Sequence, residues 1–232
     1  MSAIRRHSIH ARKLLLGAFA GTLVMSLACS LSIRHGHADV PIAATAEEVQ
    51  PLREGQDAPR FTVEAVDGEA VDFDPRDLQR PAIIITFRGG WCPYCNMHLS
   101  ELRHVLPEIN DLDVDVMFLS GDRAELLFAS LDEETRKDID GVGYKLYSDA
   151  NASAAVAFGI AFRASDRTIQ RRRDKGQDID RSSMDLHAVL PVPSVFAIDS
   201  DGVIRFAYAN ADYKVRLPAG ELLQVAEQIA GR

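Results

Sequence analysis

Cysteine is scarce in this chain: there are three among 232 residues, at positions 29, 92 and 95. Basic side chains are also in deficit, 26 against 34 acidic, for a net charge of −8. A globally acidic chain has no broad face with which to neutralise phosphates, so nucleic acid is not an expected partner. No fixed-period repeat and no long low-complexity tract occurs, which leaves out repeat arrays. What is present has globular composition, 47% apolar and 26% charged. The length allows one domain of good size plus an appendage.

The appendage is N-terminal. Arg5, Arg6, Arg12 and Lys13 precede the apolar stretch "LLLGAFAGTLVMSLACSLSI", residues 14–33. A basic flank followed by an apolar run reads as an export signal over 1–38, cut after Ala38 with Gly36 and Ala38 at the small-residue positions. A retained membrane anchor is the rival reading, since the run has about the length that spans a bilayer. Either way the remainder is exported, to the periplasm or to the outer side of the cytoplasmic membrane. Cleavage would remove Cys29 and leave Cys92 and Cys95 as the only thiols. An oxidising compartment with nothing else to mispair suits a dedicated redox couple.

Residues 39–54 are small, polar and acidic and read as a linker, so the folded domain is expected over 55–232. "GQDAPRFTVEAVDGEAVDF", residues 55–73, alternates around a DG turn and predicts a hairpin. "AIIITF", 82–87, predicts a strand buried on both faces. Helical spacing follows from about 95 to 107, then a second central strand over 114–120. A helix is expected around 122–132, a short strand over 144–149 and a helix over 152–160. Residues 163–187, with "QRRRDKGQDIDR", read as a solvated surface insertion; a lid or a docking patch is the alternative. "SVFAIDSDGVIRFAYA", 194–209, predicts a hairpin turning at Asp201 and Gly202. A closing helix is expected over 219–230, after Pro218. The pattern is that of an α/β fold: a central mixed β-sheet flanked by helices, with an N-terminal β-hairpin.

The chemistry concentrates in "FRGGWCPYCNMHLSEL", 87–102. Cys92 and Cys95 sit where a buried strand turns into a helix, and unpaired N–H groups with the positive end of the helix dipole converge there. That favours a thiolate, the nucleophilic form. Pro93 fits the first helical turn, where its missing N–H has no partner to lose. Trp91 is expected to shield the sulfurs. A structural disulfide closing so short a loop would stabilise weakly. A zinc site would need about four ligands, and beyond His98 it would have to recruit His104 and His187. A redox pair is the better reading, and it calls for no metal and no cofactor. A second piece is Val192-Pro193, directly before a strand. A cis peptide facing the cysteines is one reading, an ordinary trans proline at a strand start the other.

These motifs resemble the peroxiredoxin branch (alkyl hydroperoxide reductase and thiol-specific antioxidant type) of the thioredoxin-like superfamily. The resemblance covers about residues 53–230, through "EGQDAPRFTV", "FRGGWCPYCN", "YKLYSDANASAAVAFGI" and "VFAIDSDGVIRFAYANADY". It implies a thioredoxin-like fold, favours the cis Val192-Pro193 bond, and implies a cysteine that attacks a hydroperoxide to form a sulfenic acid, which a second thiol resolves to a disulfide. It also departs from the branch. The active-site pattern of that branch would put Cys95 at the peroxidatic position, Cys92 where a Thr is usual and Arg88 where a Pro is usual. The branch's later Arg falls at about Pro193. In the thioredoxin alternative, Cys92 is the exposed attacking thiol and Cys95 resolves. Arg88 is a candidate for the missing positive charge. Asp212, Tyr213 and Arg216 resemble a segment near this subgroup's site, with a surface salt bridge as the plainer reading.

Two functions are therefore expected. The first is a thiol peroxidase acting on a hydroperoxide and recycled by an external dithiol reductant. The second is an exported thiol–disulfide oxidoreductase acting on protein cysteines.

Overall fold

The computed structural model describes residues 41–231. The export signal or anchor expected over 1–38, and with it Cys29, lies outside these residues. Nine strands are described: β1 (Phe61–Glu64), β2 (Ala70–Phe73), β3 (Ala82–Phe87), β4 (Asp115–Ser120), β5 (Leu146–Ser148), β6 (Ala161–Arg163), β7 (Val189–Pro191), β8 (Ser194–Ile198) and β9 (Ile204–Ala209). Seven form one sheet in the order β2-β1-β5-β4-β3-β8-β9, and β6 pairs with β7 apart from it. β3 is parallel to β4 and β4 to β5, while β8 runs antiparallel to β3 and β9 antiparallel to β8. The sheet is thus mixed, as expected.

Seven α-helices are described: α1 (Pro93–Leu102), α2 (Leu106–Asp111), α3 (Glu133–Ile139), α4 (Ser153–Ala157), α5 (Asp166–Asp174), α6 (Ser183–His187) and α7 (Ala219–Ala230). α1 packs with α3, α2 with α7, and α7 also with β8. On α7, Leu222, Val225, Ala226 and Ile229 are buried, a stripe at helical spacing that faces the core. None of the described helices is long and apolar enough to cross a membrane.

β3 is central because nothing in it tolerates water: all six residues are buried, including three consecutive isoleucines. Such a run is stable only when neighbours cover both faces. Beside it, Phe158 and Phe196 stack with ring centroids 4.3 Å apart. The N-terminal hairpin forms around Asp67 and Gly68 with Phe61 opposite Phe73, and those two rings stack at 4.6 Å. The effect is to carry β3 rigidly to its C-terminal end, where the Cys pair begins.

Four expectations are corrected in detail. The helical pattern over 95–107 is two helices. Pro107 sits in the first turn of α2, where it lacks only an N–H that needs no partner, and it cannot continue α1. The helix expected around 122–132 is a single 3-10 turn, Ala124–Leu126, and the α-helix begins later, at Glu133. Asp132 decides this: its carboxylate accepts from the Thr135 N–H at 2.8 Å, and Glu133 and Glu134 suit the positive end of α3. Of the segment expected as a linker, the described part packs onto the body. Ala43 N–H donates to Ala161 O and Leu52 N–H to Phe158 O, both at 3.0 Å. The charged stretch 163–187 is not merely solvated. It contains α5 and α6, buries Arg172, Ile179 and Met184, and is pinned to the end of β4 by Ser183 N–H donating to Gly121 O at 2.7 Å.

If Asp132 is the start signal of α3, Asp132→Ala should cost about 1 kcal/mol and Asp132→Asn much less. Chemical denaturation midpoints of the two variants check this, and equal midpoints would remove the cap.

Candidate active site

The chain leaves β3 at Phe87 and must turn sharply before α1 starts. Two glycines permit the turn. A Cβ on Gly90 would lie 2.3 Å from Ser130 Oγ and 2.4 Å from the Ser130 carbonyl carbon, so this position has room for no side chain. Asp122, just past β4, fixes the turn from the side. Its buried carboxylate accepts from the Gly90 N–H at 2.6 Å and from Ser130 Oγ at 2.8 Å. Burial pushes its pKa up, against the pull of those hydrogen bonds. Asn96 closes the turn from within α1, donating to Gly90 O at 2.6 Å. Cys92 is the N-cap of α1: its carbonyl accepts from the N–H groups of Cys95 (2.9 Å) and Asn96 (3.2 Å). Pro93 is the first helical residue and is exposed.

Both sulfurs are reduced thiols and both are buried, Cys92 at 0% and Cys95 at 1% exposure. They lie close enough for each to shift the other's ionisation. The two do not ionise alike. Burial alone would push the Cys95 pKa up. The neighbouring Cys92 thiol, the charge of Arg216 and the Arg88 backbone N–H outweigh it and bring Cys95 down to about 6. Arg216 Nη2 donates to Cys95 Sγ at 3.5 Å. The Cys92 pKa moves the other way. The neighbouring Cys95 with its negative charge, and burial, hold its proton on. The electrostatics thus favour ionisation at Cys95, in the first turn of the helix, over Cys92 at the helix mouth. Cys92 is not the exposed thiol of the thioredoxin-type expectation.

Next to the Cys-bearing turn lies a cluster of cations and rings. Arg88 is buried at 4% exposure, its guanidinium 4.4 Å from the Tyr213 ring centre and 5.5 Å from that of Phe162. Arg172 of α5 lies 5.1 Å from the Tyr213 ring centre and 5.6 Å from that of Trp91. Gln177 ties this cluster down, donating from Nε2 to Trp91 O at 3.1 Å and accepting from Arg172 at 3.1 Å. Tyr94 meets Tyr213 edge-on at 5.7 Å. Trp91 is buried, with no partner for its Nε1–H.

Val192 and Pro193 are buried, and their backbone is occupied. Val192 N–H donates to Ile160 O at 2.9 Å, and Val192 O accepts from Thr86 Oγ1 at 3.2 Å and Ser194 Oγ at 2.8 Å. Pro193 O accepts from the Asn210 N–H at 3.2 Å. Those groups are therefore engaged within the fold. His98 is also engaged, its Nε2 3.0 Å from Leu217 O, and burial lowers its pKa to about 4, so it is neutral. His187 Nε2 lies 2.8 Å from Ala150 O. Among the described residues no three His, Cys, Asp or Glu side chains gather as a metal would require.

Sequence reasoning gave Arg172, Gln177, Asp122 and Asn96 no role. For Arg172 a signal existed: Ile169 and Arg172 lie three apart on α5, and both turn toward the body. Among three consecutive arginines it is the one in register with an apolar residue.

Comparison with known proteins bears on this geometry. The family model for AhpC/TSA matches residues 55–207, from before β1 into β9. The chain belongs to the AhpC/TSA family. Its fold is thioredoxin-like and its branch that of the peroxiredoxins. Among curated members of related families, thiol-disulfide oxidoreductase ResA of Bacillus thuringiensis subsp. konkukian is 21% identical over 150 residues, 65% of this chain. The chain spans just under two thirds of that protein's own length, 66%. Peroxiredoxin Bcp of Escherichia coli K12 is 27% identical over 112 residues, 48% of this chain and 67% of Bcp. Among solved structures, a yeast mitochondrial 1-Cys peroxiredoxin aligns with TM-score 0.55 at 19% identity, over 76% of this chain and 75% of that one. A peroxiredoxin-like protein of Aquifex aeolicus gives TM-score 0.55 at 15% identity, over 78% and 89%. At these identities the structures speak for the fold. The AhpC/TSA match runs through both cysteines, Arg88 and Arg172 and stops before Tyr213 and Arg216.

Arg216→Gln tests the charge at the sulfur. Removing a cation beside a thiolate raises its pKa, by about 1–2 units at this range. Ultraviolet thiolate absorbance of the reduced chain, followed against pH, should show the first ionisation moving up by that amount. A midpoint that stays put would remove Arg216 as the stabilising charge.

Proposed function

We propose that this protein is a thiol peroxidase of peroxiredoxin type in which Cys95 attacks and Cys92 resolves. The observation that carries this reading is the split pair: a Cys95 whose ionisation Arg216 favours, beside a Cys92 that holds its proton. The Cys95 thiolate attacks the terminal oxygen of a hydroperoxide. A sulfur–oxygen bond forms, the O–O bond breaks, and two electrons pass from sulfur to the departing alkoxide. Cys92 is the nearest proton source for that alkoxide, which leaves as an alcohol. The Cys92 thiolate so formed then attacks the Cys95 sulfenic sulfur and expels hydroxide, closing the Cys92–Cys95 disulfide. Arg216 and the Arg88 N–H stand where charge develops on the leaving oxygen. We assign Arg88, Trp91 and Pro93 to shaping the site around the pair, with Val192 and Pro193 as buried structural residues of the same domain.

An external dithiol then returns the pair to its reduced form. The solved yeast relative is described as resolved through glutathione and thioredoxin systems, and a thioredoxin-type dithiol is the partner proposed here. The basic, apolar N-terminus supports export, so we place the chemistry in the periplasm or on the outer face of the cytoplasmic membrane.

The similarity to ResA favours a second reading, exchange with protein disulfides. Against it, both sulfurs are buried, and the backbone of Val192 is already occupied. A small peroxide suits so closed a site better than a polypeptide does.

Intact mass after brief peroxide treatment tests the assignment. Cys92→Ser should gain one oxygen atom, Cys95→Ser none, and the unaltered chain should lose two hydrogens. If instead Cys95→Ser takes up oxygen, the roles are reversed. If it captures exported proteins as mixed disulfides on Cys92, the second reading replaces the first. The rate has a pH signature as well. A protonated sulfur is not nucleophilic, so oxidation should be full at neutral pH and fall as pH drops through about 6. A rate that climbs only above the ordinary thiol range would contradict the anionic Cys95.

A further inference from the structure

Arg216 and Arg88 face the thiol pair, and Arg172 lies beside Arg88 across the ring of Tyr213, so three guanidiniums share one thiolate. Arg216 touches Cys95 Sγ, while its Nη1 donates to the carbonyls of Tyr213 and Val215. Arg88 and Arg172 both lie against the ring of Tyr213. Among the described residues no carboxylate pairs with any of the three. Scarcity of acid is not the reason, because acidic side chains outnumber basic ones in this chain. Nearby, Arg173 is paired with Asp185, one residue along the helix from the unpaired Arg172. Arg80, just before β3 and so at the other end of that strand, holds two aspartates.

The unpaired state is costly where it occurs. Arg88 is buried, its Nε–H has no partner, and the Arg216 Nε–H is likewise buried without one. A buried donor left unmade forfeits its hydration without return. Arg172 and Arg216 also repel Arg88 directly. One thiolate balances one arginine. Arg88 shares the Cys95 charge with Arg216, and Arg172 next to it has no anion opposite.

Resting on the peroxidase reading, we propose that Arg88 and Arg172 form an anion subsite beside Cys95 and that the preferred oxidant is an organic hydroperoxide carrying a carboxylate. Arg216 serves the sulfur and the breaking O–O bond, and the other two receive the carboxylate. A planar carboxylate matches the guanidinium fork and supplies the missing acceptors. The reaction at sulfur is unchanged: the product is the hydroxy acid, and its carboxylate passes through untouched.

The probe is a short hydroperoxy acid and its methyl ester of the same carbon skeleton, with hydrogen peroxide as a reference. Single-turnover oxidation of the reduced chain is followed by Trp91 fluorescence or by thiol loss. The acid should react about tenfold faster than the ester at low salt, the worth of one charge-assisted hydrogen bond. Added salt should narrow that ratio. In Arg172→Gln the ratio should fall to about threefold or less, and Arg172→Lys should fall between the two, since Lys retains the charge but lacks the fork. The acid-to-ester ratio, unlike an absolute rate, is not moved by a general loosening of the cluster. Equal rates for acid and ester in the unaltered chain, with hydrogen peroxide still consumed, would overturn the anion subsite alone. So would a ratio that Arg172→Gln leaves untouched. Failure of all three peroxides to oxidise the pair would overturn the peroxidase reading and the subsite with it.

Discussion

A thiolate shut away from water needs something else to solvate it. At 1% exposure Cys95 has lost its hydration, and burial by itself would keep the proton on. Three donors replace water: the Arg216 guanidinium, the Cys92 thiol and the Arg88 backbone N–H. Two belong to the turn that carries Cys95 itself and the third, Arg216, lies 121 residues further on, so the full set exists only when the fold is assembled. β3 delivers Arg88 to the turn, and α1 delivers both sulfurs. The segment between β9 and α7 delivers Arg216. Asp122 beyond β4 and Asn96 within α1 hold the turn to which the first two are attached. The rest of the architecture can be read as the scaffold that makes these three meetings simultaneous.

The same reasoning explains why the neighbouring cluster is made of arginine and aromatic rings. A guanidinium is weakly hydrated and planar, and it can lie on a ring face at about 0.5–2 kcal/mol of stabilisation. Tyr213 carries two such cations, Arg88 and Arg172, and Trp91 and Phe162 take their other sides. Stacking lets positive charge be buried near sulfur without a carboxylate to quench it. A salt-bridged arginine would be more comfortable and less useful, because its field would already be cancelled.

How much of this the sequence disclosed depended on whether the signal was local. β3 was legible because six buried residues in a row can be little else, and α7 because its apolar stripe follows a proline and keeps one period. The β8–β9 hairpin announced itself through Asp201 and Gly202. The Cys pair and its helix start were equally plain, since strand, turn and proline are contiguous. Position in space was not. Arg216 follows Cys95 by 121 residues, and nothing in "ADYKVR" says that this arginine rather than its lysine neighbour reaches the sulfur. Arg172 lay inside a run whose charge suggested solvent, and only its register with Ile169 set it apart. The helix expected around 122–132 failed for a related reason. Its leucines have helical spacing, but Asp122 and Ser130 are engaged in holding Gly90, and that tertiary demand overrides the pattern.

Holding a thiolate so firmly has opposed consequences for a peroxidase. More of the sulfur is ionised at neutral pH, yet each ion is a weaker nucleophile, because intrinsic reactivity falls with pKa. Ionisation alone therefore raises the rate only until most of the sulfur is anionic. On that reading, further acceleration would have to come from the other end of the breaking bond, which is the role proposed for Arg216 and the Arg88 N–H. The same donors act on the recycling step. They stabilise the reduced pair through its negative charge, and the disulfide has no such charge to offer them. A couple whose reduced form is favoured in this way is more oxidising and is more readily reduced by an external dithiol. If Cys95 is the sulfur that a peroxide oxidises, the arrangement that primes it also makes the resulting disulfide easier to reopen, so that one cluster of donors would serve both halves of the cycle.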